Sequence, residues 1–408
     1  MATILYAWEL GADYGHVNRF LPLAERLCER GHQVVLAVKD LSRIETLSGT
    51  GAFDVVQAPV WLPQIIGLPE PQVCYADILL RSGYLHRDGL LGLVKGWRNL
   101  HTLIKPQLLI ADHAPTALLA SHGLGVPRVL YGSGFFSPPR TTPLPSMRPW
   151  QQVPAQRLVD SERAALLMIN QVLTDFDLQG LDNLAQLFDV DEDFLMSPEE
   201  FDHYPNRGVA RYMGPMPSVQ GGAEPDWPAA SGPKLFLYVK PRHKSFERLL
   251  VQLRTAPFCT LVHAPGLSNV LRHKLQSSNL RISPQPVDMH RVCKEAVAVL
   301  CHAGLATIMQ TLLAGLPLLM LPLHLEQALT ARNAVRLGAG LGIESADEKT
   351  DFLAPIKELV TNPSYTARAR DFAAKYSTID RETVLNSIVQ RCEVLLATKV
   401  NYRNAPQT

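Results

Sequence analysis

The chain has 408 residues, which is enough for two or three domains with cores of their own. Hydrophobic residues make up 47% and charged residues 19%, a balance that argues against a disordered chain and predicts a large interior. The net charge is +1, from 39 Lys and Arg against 38 Asp and Glu, so the composition argues against a nucleic-acid partner, which would need clustered basic charge.

The same sequence predicts a cytoplasmic location. It has no uninterrupted apolar run of about 18 residues, so no transmembrane segment is expected. Its first residues lack the basic segment of a secretory signal and include Glu9. None of the six cysteines forms a CxxC pair, which favours reduced, mostly buried thiols over a zinc site or a disulfide framework.

The first half of the chain predicts alternating strands and helices. The predicted strands are residues 3–8, 32–38, 107–112 and 128–131, and the predicted helices lie around Phe20–Leu27 and Thr116–Ala120. The first strand, helix and second strand fit within about 36 residues, which is the length of a βαβ unit. Because the strands are apolar throughout, they predict a parallel sheet that is covered on both faces.

The second half repeats this architecture. Its predicted strands are 235–239, 259–263, 297–301 and 318–321, and its predicted helices are 244–253 and 305–313. Residues 214–233 are rich in Gly, Pro and Ser, as linkers are, and 352–397 predict helices alone.

These patterns predict an α/β protein with two doubly wound domains. The predicted divisions are an N-terminal domain at 1–213, a linker at 214–233, a C-terminal domain at 234–375, and a C-terminal helix and tail at 376–408. The helical residues 352–397 either close the second domain or cross back to the first.

A candidate phosphate site follows the strand at 297–301. That strand leads to His302 and a Gly-containing turn, and a helix is predicted to begin near Ala306. Backbone N–H groups at a helix start bind anions such as a diphosphate, and His302 and Thr307 add possible donors. An ordinary strand-to-helix turn with a surface histidine is the alternative.

Nine residues between His302 and Gln327 carry a resemblance to a known family. They are His302, Gly304, Thr307, Gln310, Gly315, Pro317, Pro322, Glu326 and Gln327. At these spacings the segment resembles the nucleotide-binding segment of the UDP-glycosyltransferase superfamily, including its bacterial, family-1-like members. The resemblance implies the GT-B fold, in which two Rossmann-like domains face each other across a cleft.

The resemblance also implies roles for individual donor-site residues. His302, Gly304, Ala306 and Thr307 would bind the diphosphate, and Gln310 would meet the ribose. Glu326 and Gln327 would bind the donor sugar, since a carboxylate and an amide can each hold paired hydroxyls. Val287 and Asp288 would lie near the base.

The sequence departs from the family pattern at three places. The donor nucleotide is therefore undecided between UDP and dTDP. Gln310 replaces the usual Glu at the ribose position. Pro284 and Val287 stand where plant members have Trp and Gln. Basic residues at 240–244 replace a small Gly-Ser or Gly-Thr turn; they either add positive charge near the phosphates or form a solvated loop.

Residues 15–37 resemble the N-terminal segment of the same superfamily, in which a Gly-His pair follows the first strand. His16 matches the family's catalytic base, and Asp112 matches the carboxylate that partners it. Asp13 and His113 are competing partners for His16. Histidine suits this role because an acceptor hydroxyl needs a base and histidine titrates near neutrality. A single displacement at the anomeric carbon would invert the configuration.

The acceptor pocket is predicted in the first domain. Its candidate residues are Trp61, Tyr84, Trp97 and Phe135, which would suit a hydrophobic or polycyclic acceptor. The alternative is that these aromatic residues belong to the core. The Pro-rich loop at 132–150 is expected to border the same cleft.

The acidic stretch at 189–193 resembles a metal-binding acidic triplet. We favour instead an acidic loop or a helix cap, because a helical segment is predicted to follow at 198–204. The family resemblance implies that no metal and no cofactor are needed, and that a nucleotide diphosphate sugar would be the co-substrate.

The sequence therefore predicts an inverting glycosyltransferase with a His-Asp base and a UDP- or dTDP-sugar donor. The acceptor would be a small molecule, a lipid-linked intermediate or a sugar chain. Two alternatives remain: a nucleotide-sugar 2-epimerase of the same fold, and a catalytically silent auxiliary protein.

Overall fold

A computed structural model of the protein describes residues 1–11, 15–42, 44, 50–216, 221–347 and 349–403. The chain forms two compact units. The N-terminal unit comprises Met1–Ser197, Asp202–Met213 and Asp380–Thr408, and the C-terminal unit comprises Pro198–Phe201 and Gly214–Ile379.

The N-terminal unit is built on a parallel sheet of six strands in the order β3-β2-β1-β4-β5-β6. The strands are β1 Thr3–Trp8, β2 Gln33–Val38, β3 Asp54–Gln57, β4 Leu108–Ala111, β5 Arg128–Gly132 and β6 Glu192–Leu195. The helices between them are α1 Gly15–Glu29, α2 Tyr75–Arg81, α3 Arg87–Ile104, α4 Pro115–Ser121 and α5 Ala155–Thr174. The strand order reverses between β1 and β4, and ligands of such sheets bind beyond the carboxyl ends of the strands at that point.

The C-terminal unit repeats the design with the order β12-β11-β10-β7-β8-β9, again parallel. Its strands are β7 Lys234–Tyr238, β8 Cys259–His263, β9 Leu280–Ser283, β10 Ala298–Cys301, β11 Leu318–Met320 and β12 Gly340–Gly342. Its helices are α6 Phe246–Leu253, α7 Asn269–Leu275, α8 Met289–Glu295, α9 Leu305–Leu313, α10 Leu325–Arg336, α11 Leu353–Thr361 and α12 Pro363–Lys375. The order reverses between β7 and β10.

The last helix, α13 at Arg381–Arg403, belongs to the N-terminal unit. Its residues Leu385, Ile388 and Cys392 are buried there. The guanidinium of Arg30 donates to both carboxylate oxygens of Glu393, at 3.0 and 2.9 Å. The C-terminal segment thus crosses back to the first unit, which is one of the two arrangements that the sequence left open.

Every strand predicted from the apolar runs is present, and the fold class is confirmed. The short strands β3, β9 and β12 were not predicted, because three or four residues carry too little periodicity to distinguish a strand from a loop.

The interpretation of residues 189–204 is wrong in part. Glu192 begins strand β6, and the expected helix is a single 3-10 turn at Glu199–Phe201. The buried Glu192 carboxylate accepts from Arg211 Nη1 and Arg391 Nε, each at 2.7 Å. These two guanidinium groups allow an acidic residue to occupy a strand, and both lie far away in the sequence.

None of the described helices has both the length and the apolar character that crossing a lipid bilayer requires.

Candidate functional sites

His16 and Asp112 meet at the carboxyl ends of β1 and β4, where the strand order reverses. His16 lies on the first turn of α1, and Asp112 directly follows β4. Asp112 donates its backbone N–H to the Ala7 carbonyl at 2.9 Å, which continues the ladder between the two strands. The side chains then meet with Nδ1 of His16 2.9 Å from Oδ1 of Asp112.

The Asp112 carboxylate is fully buried and surrounded by donors. Its Oδ2 accepts from the Tyr6 hydroxyl at 3.1 Å and lies 3.4 Å from Arg19 Nη2. Burial alone would raise the pKa of Asp112, but the neighbouring His16 and Arg19 outweigh it and hold the pKa below its usual value. The ionised carboxylate therefore accepts a hydrogen bond from Nδ1–H of His16, which leaves the Nε2 lone pair available to take a proton.

The sequence left Asp13 and His113 as alternative partners of His16, and the structure treats the two differently. Asp13 lies outside the described residues. His113 has a left-handed backbone (φ 52°), and its ring centroid is 6.2 Å from that of His16, so Asp112 rather than His113 holds the His16 imidazole.

Aromatic rings and a glycine shape the surroundings of His16. Its ring stacks on Trp8 at 5.3 Å and contacts Phe136 at 4.9 Å between centroids. Gly11 has φ +87°, and a Cβ built there would lie 2.8 Å from Nε2 of His16. Glycine therefore satisfies a backbone angle and leaves the space beside Nε2 open.

The sequence analysis gave no role to Glu9, which the structure places just beyond β1. The carboxylate is buried and accepts from Trp97 Nε1 at 2.7 Å and from the backbone N–H of Thr116. Burial raises the pKa of Glu9 to about 7. No local sequence signal distinguishes this carboxylate, because its donors come from α3 and α4.

The four predicted acceptor residues occupy different environments. Tyr84 and Trp97 are completely buried, and their polar atoms bond to Thr116 and Glu9 inside the core. Phe135 is also buried and makes an edge contact with His113, with the ring centroids 6.1 Å apart. Trp61 is half-buried and stacks on His86. Their predicted acceptor role stays a prediction, and for Tyr84 and Trp97 the core alternative fits their burial.

In the C-terminal unit, His302 connects the loops that follow three neighbouring strands. It comes directly after β10. Its Nδ1 lies 2.7 Å from the Leu321 carbonyl after β11, and its Nε2 lies 2.6 Å from the backbone nitrogen of Lys240 after β7. A carbonyl can only accept and an amide N–H can only donate, so the ring carries its proton on Nδ1. Burial lowers the pKa of His302 to about 4, so the ring is neutral at pH 7.

Helix α9 begins next to this histidine. Its N-cap is Gly304, which has no side chain to cap the helix, and its first internal bond runs from Ile308 N–H to the Gly304 carbonyl at 3.1 Å. The N–H groups that precede this bond point out of the helix end, where an anion is stabilised. Ala306 is exposed on the first turn, and Thr307 is half-buried.

The other predicted donor residues lie on the same unit. Gln310 is half-buried on α9. Glu326 and Gln327 begin α10, where Oε1 of Gln327 accepts from Leu323 N–H at 2.9 Å and its amide N–H₂ can still donate. Val287 packs in the core, and Oδ1 of Asp288 caps α8 through His290 N–H at 2.8 Å. The ligand roles of these residues stay predictions.

The basic stretch at 240–244 is adjacent to His302. The rings of His243 and His302 stack with centroids 5.5 Å apart. Arg242 and Lys244 are exposed on the same loop. Among the described residues, no group of three or more His, Cys, Asp or Glu side chains is arranged to hold a metal ion.

Part of the chain is similar in sequence to known glycosyltransferases. Residues 246–381 match the glycosyltransferase family 28 C-terminal domain, a stretch that includes α9, α10 and His302. "UDP-glycosyltransferase 79B2" of Arabidopsis thaliana is 29% identical over 138 residues, which is 32% of this chain and 28% of the plant protein. The chain therefore matches only about a quarter of that relative's length.

Solved structures match nearly the whole chain. The calicheamicin glycosyltransferase CalG4 has a TM-score of 0.70 at 18% identity, with 99% of each chain covered. The glycosyltransferase VinC in complex with dTDP has a TM-score of 0.67 at 18% identity, over 96% of this chain and 100% of that one. The spinosyn rhamnosyltransferase SpnG complexed with spinosyn aglycone has a TM-score of 0.67 at 17% identity, with the same coverage. The protein thus has the two-unit GT-B fold of these glycosyltransferases.

Proposed function

We propose that this protein is a glycosyltransferase that moves a sugar from a nucleotide diphosphate sugar to a hydroxyl of an acceptor, with inversion at the anomeric carbon. The observation that carries the proposal is the 2.9 Å contact between Nδ1 of His16 and the buried carboxylate of Asp112. It supports a general base at the strand-order reversal of the N-terminal unit. A silent auxiliary protein would have no need of this pair.

The proposed chemistry follows from the tautomer of His16. Asp112 holds the proton on Nδ1, so Nε2 accepts the proton of the acceptor hydroxyl as the oxygen attacks the anomeric carbon. The carboxylate then stabilises the imidazolium that forms. The nucleoside diphosphate leaves with growing negative charge, which the N-terminus of α9 stabilises.

In this proposal the C-terminal unit binds the donor. The match of residues 246–381 to a glycosyltransferase C-terminal domain supports this assignment. The neutral His302 fixes the three loops around the α9 N-terminus, and the backbone N–H groups of that helix start meet the diphosphate. Gln310 binds the ribose, and Glu326 and Gln327 bind the sugar hydroxyls.

The proposed donor carries UDP or dTDP, and the acceptor is a small molecule. The name of the plant relative supports the first nucleotide, and the dTDP complex of VinC supports the second. The SpnG complex with an aglycone supports a small-molecule acceptor over a lipid-linked one. Transfer without a metal and a cytoplasmic location stay predictions.

The donor site is tested by nucleotide binding to Ala306→Glu and Ala306→Gln. Ala306 is exposed on the first turn of α9, where a carboxylate stabilises the helix but repels a diphosphate. Gln has nearly the same size without the charge, so it is the matched control. UDP, dTDP and GDP are titrated by calorimetry and by thermal shift, in which a ligand at about 100 times its Kd stabilises by about 2.7 kcal/mol.

We expect UDP or dTDP to bind the wild type and Ala306→Gln, and binding to Ala306→Glu to be at least tenfold weaker. Equal binding by both variants would place the diphosphate elsewhere. If no nucleotide binds the wild type, the proposal of a nucleotide-sugar donor is wrong.

A further inference from the structure

A buried ion pair lies in the N-terminal unit outside the His16–Asp112 pair. The guanidinium of Arg207 donates to both carboxylate oxygens of Asp202, with Nη2 2.8 Å from Oδ1. The Asp202 and Arg207 side chains are only 5% and 7% exposed. Burial alone would raise the pKa of Asp202, but hydrogen bonds from Arg207 and from the Tyr212 hydroxyl lower it below its usual value. The pair is therefore ionised, and removing one partner would leave a buried charge.

The same guanidinium binds the backbone of the loop after β5. Nη2 of Arg207 lies 3.1 Å from the Gly134 carbonyl, and Nη1 donates to the Ser137 carbonyl. Gly134 begins a 3-10 turn at Gly134–Phe136, and Ser137 directly follows it. Any side chain at residue 134 would collide with Asp202, since a Cβ built there overlaps Oδ1 of that carboxylate. The turn therefore rests directly on the ion pair, and only glycine permits that approach.

Phe136 is the last residue of this turn, and its ring packs against His16, the proposed catalytic base. The ring stacks on His113 with a centroid distance of 4.3 Å, and its centroid is 4.9 Å from that of His16. The guanidinium of Arg19, which also contacts Asp112, lies 5.9 Å from the same ring. A shift of the turn would therefore change the packing of His16.

We propose that Asp202 and Arg207 are positioning residues for the catalytic base: they fix the Gly134–Phe136 turn, so that Phe136 keeps the His16 imidazole directed at Asp112. Neither residue touches the reacting atoms. The inference rests on the proposed function in that His16 acts as the base. The orientation of the His16 ring can nevertheless be measured without any substrate.

Arg207→Lys and Asp202→Asn test the pair. Lysine keeps the charge but cannot bridge two carbonyls and a carboxylate at once, because it lacks the forked guanidinium. Asp77→Asn is the matched control, since Asp77 is buried and forms an ion pair with Arg157 at 2.9 Å on α2 and α5, which contribute no residue to the turn. Phe136→Leu removes the ring and leaves the ion pair intact. It therefore tests the contact between the turn and His16 if Arg207→Lys and Asp202→Asn fail to fold.

Two readouts separate positioning from a merely structural role. Nitrogen NMR of labelled histidine gives the tautomer of His16, with its signals assigned by comparison with His16→Gln. Release of nucleoside diphosphate from UDP-glucose and dTDP-glucose gives kcat and KM for the donor.

We expect the wild type and Asp77→Asn to keep His16 in the Nδ1–H form. Arg207→Lys, Asp202→Asn and Phe136→Leu should show the mixed tautomers of a loosely held imidazole, with kcat at least about tenfold lower and donor KM nearly unchanged. If these variants lose thermal stability as Asp77→Asn does but keep the wild-type tautomer and kcat, the pair is structural and the inference is wrong. If the wild type turns over neither donor, the proposed function is in question, while the tautomer result still decides the inference.

Discussion

Nε2 of His302 lies 2.6 Å from the backbone nitrogen of Lys240, and this contact determines what the histidine can do. With Nδ1 donating to the Leu321 carbonyl at 2.7 Å, both ring nitrogens bond to backbone groups. His302 in this state offers no N–H to a phosphate. Its hydrogen bonds hold the loops after β7, β10 and β11 together, which is its part in the proposed donor site.

A glutamine should replace His302 with little loss at neutral pH, because its carbonyl can accept from Lys240 N–H and its amide can donate to Leu321. The pKa of His302 is lowered to about 4, so the folded protein resists protonation between pH 6.5 and 4, and the wild type loses stability as pH falls through that range. We expect the free energy of unfolding of the wild type to fall relative to His302→Gln by up to about 3 kcal/mol from pH 7.5 to 4.5. Parallel pH profiles in chemical denaturation would contradict the assigned neutral state.

Loss of the base should separate catalysis from donor binding. His16→Gln and Asp112→Asn are expected to lower kcat by about 10² to 10⁴, with the affinity for UDP or dTDP unchanged, because neither residue lies in the C-terminal unit. The control is His101→Gln, which replaces another buried histidine of the N-terminal unit, on α3. Nucleoside diphosphate release and calorimetry measure the two effects. A His16→Gln protein with full turnover would exclude the proposed base.

The carboxyl of Glu9 should make the stability of the N-terminal unit depend on pH near neutrality. Burial raises its pKa to about 7, so the folded state binds a proton between pH 4.5 and 7 that the unfolded state has released. Stability from this group is therefore present at low pH and lost as pH rises toward 7. Relative to Glu9→Gln, the wild type should gain up to about 3 kcal/mol in free energy of unfolding between pH 8 and pH 5. The same difference at both pH values would show that Glu9 stays ionised.

The loop at 240–244 offers positive charge beside the proposed diphosphate site. Arg242→Gln combined with Lys244→Gln should weaken dTDP or UDP binding by about threefold to tenfold at low salt, and less at high salt, because exposed charges are screened. Lys274→Gln, an exposed basic residue on α7 of the same unit, is the control. Calorimetric titrations at two ionic strengths make the measurement. Equal affinity in both variants would favour the solvated-loop interpretation.

The sequence predicted those elements whose structure depends on residues close together in the chain. The apolar runs at 3–8 and 297–301 are strands β1 and β10, because continuous burial on both faces leaves a signature within six residues. Strand β6 was not predicted, because an acidic residue such as Glu192 usually indicates a solvent-exposed segment and not a buried strand. Its neutralising partners, Arg211 and Arg391, are 19 and 199 residues away.

For the candidate sites, the sequence identified several of the residues, and only the structure showed which other residues they contact. The family resemblance singled out His16 and Asp112, and the structure brings them together over a separation of 96 residues. Glu9, Arg19 and Phe136 escaped notice, because each matters only through side chains that other elements supply. Tyr84 and Trp97 show the converse: aromatic residues in a predicted pocket region are fully buried in the core.

By itself, the sequence determined the alternation of strands and helices, the two α/β halves and the spacing of the residues from His302 to Gln327. These are properties of short segments, set by side-chain periodicity and backbone preference. The tertiary structure alone decided that Asp112 rather than His113 holds His16, that His302 is neutral with its proton on Nδ1, and that α13 returns to the N-terminal unit. Those outcomes depend on which strands lie side by side and on how deeply each charge is buried, and no local pattern encodes either quantity.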